Sequence, residues 1–183
     1  MRLSYLLFSI FLSLLLQACG GDDSEETKTE NISKETEAES IPTSQGTQNS
    51  SIVWSAHSDK CIDVSAGGTN NGTNIQLWDC DTNNKNQKFS YDLQTQQINW
   101  NKYPNKCIDV SAGGTSNGTN IQLWDCDANN KNQKFSYDSQ TQQISWDKYP
   151  NKCIDVSAGG TSNGTNIQLW DCDINNKNQK FTM

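Results

Sequence analysis

Apolar residues are spread very unevenly along the chain. Residues 3–16 form a nearly continuous apolar run behind a single positive charge, Arg2. At 14 residues the run is short for a membrane-crossing helix and suits the core of a signal peptide. Between residues 20 and 50 the only large apolar side chains are Ile32 and Ile41. From Ser51 onward the pattern changes to short alternating segments. Turns rich in Gly, Asn, Ser and Thr separate them, such as Ala66-Gly67-Gly68-Thr69-Asn70-Asn71-Gly72. This pattern predicts strands joined by tight loops, and nothing after the leader has helical periodicity.

The segments recur with a fixed period. Cys61, Cys107 and Cys153 stand 46 residues apart, as do Trp54, Trp100 and Trp146, and Trp78, Trp124 and Trp170. Residues 105–135 and 151–181 differ at one position, Ala128 against Ile174. The copies run over about 51–96, 97–142 and 143–183. In the first, strands are predicted at Ile52-Val53-Trp54, Cys61-Ile62-Asp63-Val64, Asn74 to Cys80 and Gln87 to Tyr91. A Trp-Asp pair and four strands per copy also occur in β-propellers, which need at least four blades. Three four-stranded units predict an all-β fold, a β-trefoil of twelve short strands.

Six of the seven cysteines belong to the copies. With a single His57 and no C-x-x-C pair, zinc ligation is a poor fit. Export favours disulfides, and repeat symmetry leaves one natural pairing, Cys61–Cys80, Cys107–Cys126 and Cys153–Cys172. That pairing sets Cys61 opposite Cys80 and, two residues inward, Asp63 opposite Trp78. Side chains alternate along a strand, so Cys61 and Asp63 point one way while Ile62 and Val64 point to the core. On the third strand Gln76, Trp78 and Cys80 share the outer face. A carboxylate, an amide and an indole side by side suit a pyranose ring, whose hydroxyls bond the polar groups while its C–H face packs on Trp78. Asn86 and Gln87 lie nearby.

Charge sharpens the domain boundaries. Residues 20–50 hold eight of the 21 acidic residues against two Lys, and no aromatic. Such a segment cannot offset its ordering entropy and reads as a disordered acidic tether over residues 19–50. Residues 51–183 carry 13 Asp against 11 Lys, without the basic footprint of a nucleic-acid binder. Asp79-x-Asp81-x-Asn83 begins like a calcium loop, but Asn84 and Ser90 stand where Gly and Glu belong, so no metal or other cofactor is expected. One His and bridged cysteines leave no acid/base inventory for an enzyme.

The leader ends in Leu16-Gln17-Ala18-Cys19, which resembles a bacterial lipobox. The resemblance implies a signal peptide over residues 1–18, lipidation at Cys19 and a protein anchored in the bacterial cell envelope. Gly20 after the Cys points to the outer membrane.

Residues 51–183 resemble the ricin-type β-trefoil lectins, the family 13 carbohydrate-binding modules. The resemblance rests on Cys-Ile-Asp-Val, Gly-Thr-Asn-Ile-Gln-Leu-Trp-Asp-Cys and Asn-Gln before an aromatic, in that order in every copy. It implies sugar contacts from Asp63, Gln76, Trp78, Asn86 and Gln87 in the first copy. The second gives Asp109, Gln122, Trp124, Asn132 and Gln133, and the third Asp155, Gln168, Trp170, Asn178 and Gln179. It departs in one respect, since the family's Gln-x-Trp appears as Gln87-Lys88-Phe89, Gln133-Lys134-Phe135 and Gln179-Lys180-Phe181. The expected partner is a polysaccharide or glycoconjugate of galactose or xylose type, held by avidity over three shallow sites. Lipoproteins of this fold also serve as subunits of toxin assemblies, a competing expectation.

Overall fold

The computed structural model describes residues 46–183. The signal peptide, Cys19 and most of the tether lie outside the described residues. The first copy forms β1 (Val53–Trp54), β2 (Lys60–Val64), β3 (Thr73–Asp79) and β4 (Phe89–Asp92). The second forms β5 (Gln97–Trp100), β6 (Lys106–Val110), β7 (Thr119–Asp125) and β8 (Phe135–Asp138). The third forms β9 (Gln143–Trp146), β10 (Tyr149–Val156), β11 (Ile167–Asp171) and β12 (Phe181–Thr182). Short 3-10 turns are the only helical elements among the described residues. These twelve strands make a β-trefoil.

One aromatic pair marks each of three barrel seams. Phe89 faces Trp100 between β4 and β5, Phe135 faces Trp146 between β8 and β9, and Phe181 faces Trp54 between β12 and β1. All six rings are at most 2% exposed. Each buried indole N–H needs an acceptor and finds a turn carbonyl, Trp54 on Lys177, Trp100 on Lys85 and Trp146 on Lys131, at 2.8 to 2.9 Å. The third copy is thereby tied back to the first. Phenylalanine in place of the family's third-position tryptophan therefore fills core volume.

Between the seams the chain closes with backbone bonds. Phe135 donates to Gln96 O at 2.9 Å and Phe181 to Gln142 O at 2.7 Å. In the first copy Ser50 and Phe89 exchange bonds at 2.9 and 2.8 Å, and Tyr91 N donates to Thr47 O at 2.9 Å. Backbone pairing therefore begins a few residues ahead of Ser51, because β4 needs a neighbour along this edge.

The hairpins β2–β3, β6–β7 and β10–β11 meet through β3–β7, β7–β11 and a bridge between Gln76 and Asn166. A polar clasp locks each junction. Asn163 takes hydrogen bonds from Lys60 Nζ at 3.0 Å and Asp79 N at 2.8 Å, and donates to Asp79 Oδ2 at 2.7 Å. Lys60 and Asp79 pair at 2.6 Å. Asn71 does the same for Lys106 and Asp125, and Asn117 for Lys152 and Asp171.

The disulfides Cys61–Cys80, Cys107–Cys126 and Cys153–Cys172 are present, with Cα separations of 5.1, 5.1 and 5.0 Å. The register differs from the one the pairing suggested. Cys61 lies opposite Trp78, and Asp63 opposite Gln76. Cys80 is past the end of β3, where its N–H bonds Asp59 O at 2.8 Å, so the disulfide crosses the ladder diagonally. The shift is two residues, and the faces are unchanged.

Candidate carbohydrate site

Each hairpin carries a cleft on its outer face. The first, of about 410 Å³, is lined by Asp63, Ser65, Ala66, Gln76, Trp78, Asn84 and Asn86. The same seven positions line the second and third clefts, of about 380 and 430 Å³. Larger cavities of about 680 and 550 Å³ lie where the first copy meets the second.

Strand alternation turns Asp63, Gln76 and Trp78 to this side while Ile62, Val64, Ile75 and Leu77 are buried beneath at 0% exposure. The carboxylate is nearly enclosed. Gln76 Nε2 donates to Asp63 Oδ1 and Asn84 Nδ2 to Oδ2, each at 3.1 Å. Burial pushes the Asp63 carboxyl above its ordinary range, against the amide groups of Gln76, Gln87 and Asn84, which pull it down. Asp109 and Asp155 are raised for the same reasons. A carboxylate offers about four acceptor positions, so these amides do not exhaust its capacity.

Trp78 stands against the rule for its residue type in this fold. It is 41% exposed, and Trp124 and Trp170 are 40%, whereas the three seam tryptophans are buried. The open indole lies on the same face as the enclosed carboxylate.

Two short turns complete the walls. The 3-10 turn Ser65–Gly67 follows β2 and holds Ala66 at φ 51°, a left-handed conformation that alanine adopts at a cost. A Cβ on Gly67 would lie 2.8 Å from Asn86 Oδ1 and push that side chain aside, and its φ of 62° is a left-handed conformation that favours glycine. The 3-10 turn Lys85–Gln87 is capped by Asn84, whose side chain accepts from Asn86 N at 2.9 Å.

This second turn separates the Asn-Gln pair. Asn86, Asn132 and Asn178 line the clefts. Gln87, Gln133 and Gln179 are fully buried and do not. Gln87 accepts from Asp81 N and donates to Asp79 O, both at 2.9 Å, so it braces the chain behind the cleft. Asn84, Asn130 and Asn176 are cleft residues that reading the sequence overlooked; the recurring Asn-Asn-Lys-Asn run was the available signal. Asp79 and Asp81, considered as a calcium loop, are turned to other work. Asp79 pairs with Lys60, and Asp81 Oδ1 accepts from Asn83 N at 2.8 Å.

A family model described as "Ricin-type beta-trefoil lectin domain" matches residues 49–181. No curated protein matches the chain in sequence. Among solved structures, the designed three-fold symmetric protein ThreeFoil superposes with a TM-score of 0.63 at 22% identity, over 72% of this chain and 94% of that one. The C-half of an earthworm R-type lectin, in complex with GalNAc, gives a TM-score of 0.62 at 20% identity, over 74% of this chain and 97% of that one. A non-toxic homologue of type II RIPs from Momordica charantia, in complex with α-methyl-D-galactoside, gives 0.59 at 23% identity, over 75% of this chain and 48% of that one. At these identities the likeness is one of fold.

Proposed function

The chain belongs to the ricin-type β-trefoil lectin domain family, and on that premise we propose that it binds carbohydrate, without catalysis, through its three clefts. The observation that carries this reading is an open indole beside a buried, amide-held carboxylate, built from the same residues three times over. A pyranose packs its C–H face on Trp78, Trp124 or Trp170 and donates vicinal hydroxyls to Asp63, Asp109 or Asp155. Asn86, Asn132 and Asn178 supply the second polar wall. Gln76 and Asn84 orient the carboxylate, and Gln87 holds the turn that carries Asn86.

Each cleft is shallow, so one sugar binds weakly and three sites on one body gain by avidity on a polymer or clustered glycan. A galactose-type ligand is the first to try, since two structures sharing the fold hold GalNAc and a galactoside. A lipid on Cys19, in the outer membrane of a bacterial envelope, would present many copies side by side.

A glycan array probed with the purified chain tests the reading, beside the triple variant Asp63→Asn, Asp109→Asn and Asp155→Asn. Retention of clustered galactosides by the native chain, lost in the variant, is the expected result. Equal retention by both overturns it.

A further inference from the structure

Beside the first cleft lies a cavity of about 550 Å³. Lys85, Lys88 and Lys102 line it together with the amides of Asn49, Asn83 and Asn101, and no carboxylate does. The salt bridges among the described residues use Lys60, Lys106 and Lys152, so these three ammonium groups have no acidic partner there. Lys102 forms the wall shared with the cleft. Its Nζ donates to Asn86 Oδ1 at 3.4 Å, and Asn86 lines the cleft. Nζ also lies 5.5 Å from the Trp100 ring and 5.8 Å from that of Tyr103, on an aromatic shelf that narrows its range. Lys88 spends one hydrogen on Ser51 Oγ at 3.0 Å. An ammonium has three, so donors remain.

The other copies reproduce this charge only in part. In the second, Asp147 replaces Asn101 beside Lys131, Lys134 and Lys148. In the third, Ser55 and Ala56 replace Asn101 and Lys102, and Ile174, 60% exposed, replaces Thr82. The first copy thus carries three lysines and no acid, against three lysines with one acid in the second and two lysines in the third, so positive charge is greatest at the first cleft. A recess lined by one sign of charge concentrates counter-ions, and ammonium and amide donors together satisfy an oxyanion.

We propose that this cavity is an anion subsite, extending the first cleft to saccharides that carry a sulfate or carboxylate group. The proposal rests on the carbohydrate reading of that cleft. Its test uses the full chain, with four probes: galactose, galactose 6-sulfate, galacturonate and inorganic sulfate. The indole N–H signals of Trp78 and Trp100 report on the two places separately, since Trp100 bonds the Lys85 carbonyl. The expected result is binding of an anionic sugar at least about fivefold tighter than galactose, a gain lost in Lys85→Ala with Lys102→Ala and screened by about 0.5 M salt. A gain for the sulfate ester alone assigns sulfate, and one for galacturonate alone assigns carboxylate. Galactose that moves Trp78, with no gain from either charged group, overturns the subsite and leaves the cleft. Inorganic sulfate that moves Trp100 while galactose leaves Trp78 still supports the anion site and removes the galactose reading of the cleft.

Discussion

Gln76 donates its side-chain amide to Asp63 Oδ1 across the β2–β3 ladder at 3.1 Å, from the position directly opposite. With Asn84 on the other oxygen, the two bonds hold the carboxylate plane at the floor of the cleft. The same bond recurs at 3.0 Å for Gln122 with Asp109 and for Gln168 with Asp155.

Acid should separate binding from folding. Burial raises the carboxyls of Asp63, Asp109 and Asp155 above 3.8, so these groups favour the fold when protonated, and that contribution is lost as pH rises through their folded pKa values. The hydrogen bonds from Lys60, Lys106 and Lys152 hold Asp79, Asp125 and Asp171 below 3.8, and their contribution is lost only as pH falls through those lower values. Glycan retention should therefore disappear on descending toward pH 3.8 while circular dichroism still reports an intact fold. Retention and ellipticity that fall together at a lower pH would contradict this assignment.

The two kinds of tryptophan should respond oppositely to truncation. Changing Trp78, Trp124 and Trp170 together to Ala should cost more than about tenfold in retention, as loss of an aromatic anchor does, with little change in the unfolding midpoint. Trp100→Ala, at a position 0% exposed, should cost about 3–5 kcal/mol of stability in urea titration.

The hairpin junctions should be measurable one at a time. Asn163→Ala removes the acceptor of Lys60 Nζ and Asp79 N and the donor to Asp79 Oδ2. Part of that site is solvent-exposed, so the expected loss is about 1–3 kcal/mol by chemical denaturation. Asn71→Ala and Asn117→Ala should match it within error.

Each disulfide closes a loop of sequence separation 19. Replacing Cys107 and Cys126 by Ser should cost about 3 kcal/mol in the chain-entropy description, with the other two copies still bridged. A loss no greater than that of a surface substitution would mean that the seams alone hold the copy.

Strand faces, the disulfide pairing and the three-part architecture were legible in the sequence because each follows from a local period or from repetition. Ile62 and Asp63 differ by one step along a strand, and one step decides the face. The register was not legible. It depends on where β3 ends, and Cys80 sits one residue past that end, bonded to Asp59. The placement of Gln87 failed for a related reason. The resemblance assigns Asn86 and Gln87 to the site as a pair, whereas the 3-10 turn sends one to the cleft and packs the other into the backbone behind it. The basic cavity was hidden because Asn49, Lys88 and Lys102 come from three separated stretches that share no motif.

The junction asparagines run in a cycle: Asn71 serves the second copy, Asn117 the third and Asn163 the first. Every copy thus carries both the hook and the eye of the same fastening. One such unit is self-complementary, and three separate units hold all the parts of a closed trimer. Joining them in a single polypeptide makes that ring independent of protein concentration, and it lets each unit change its rim without disturbing the fastening.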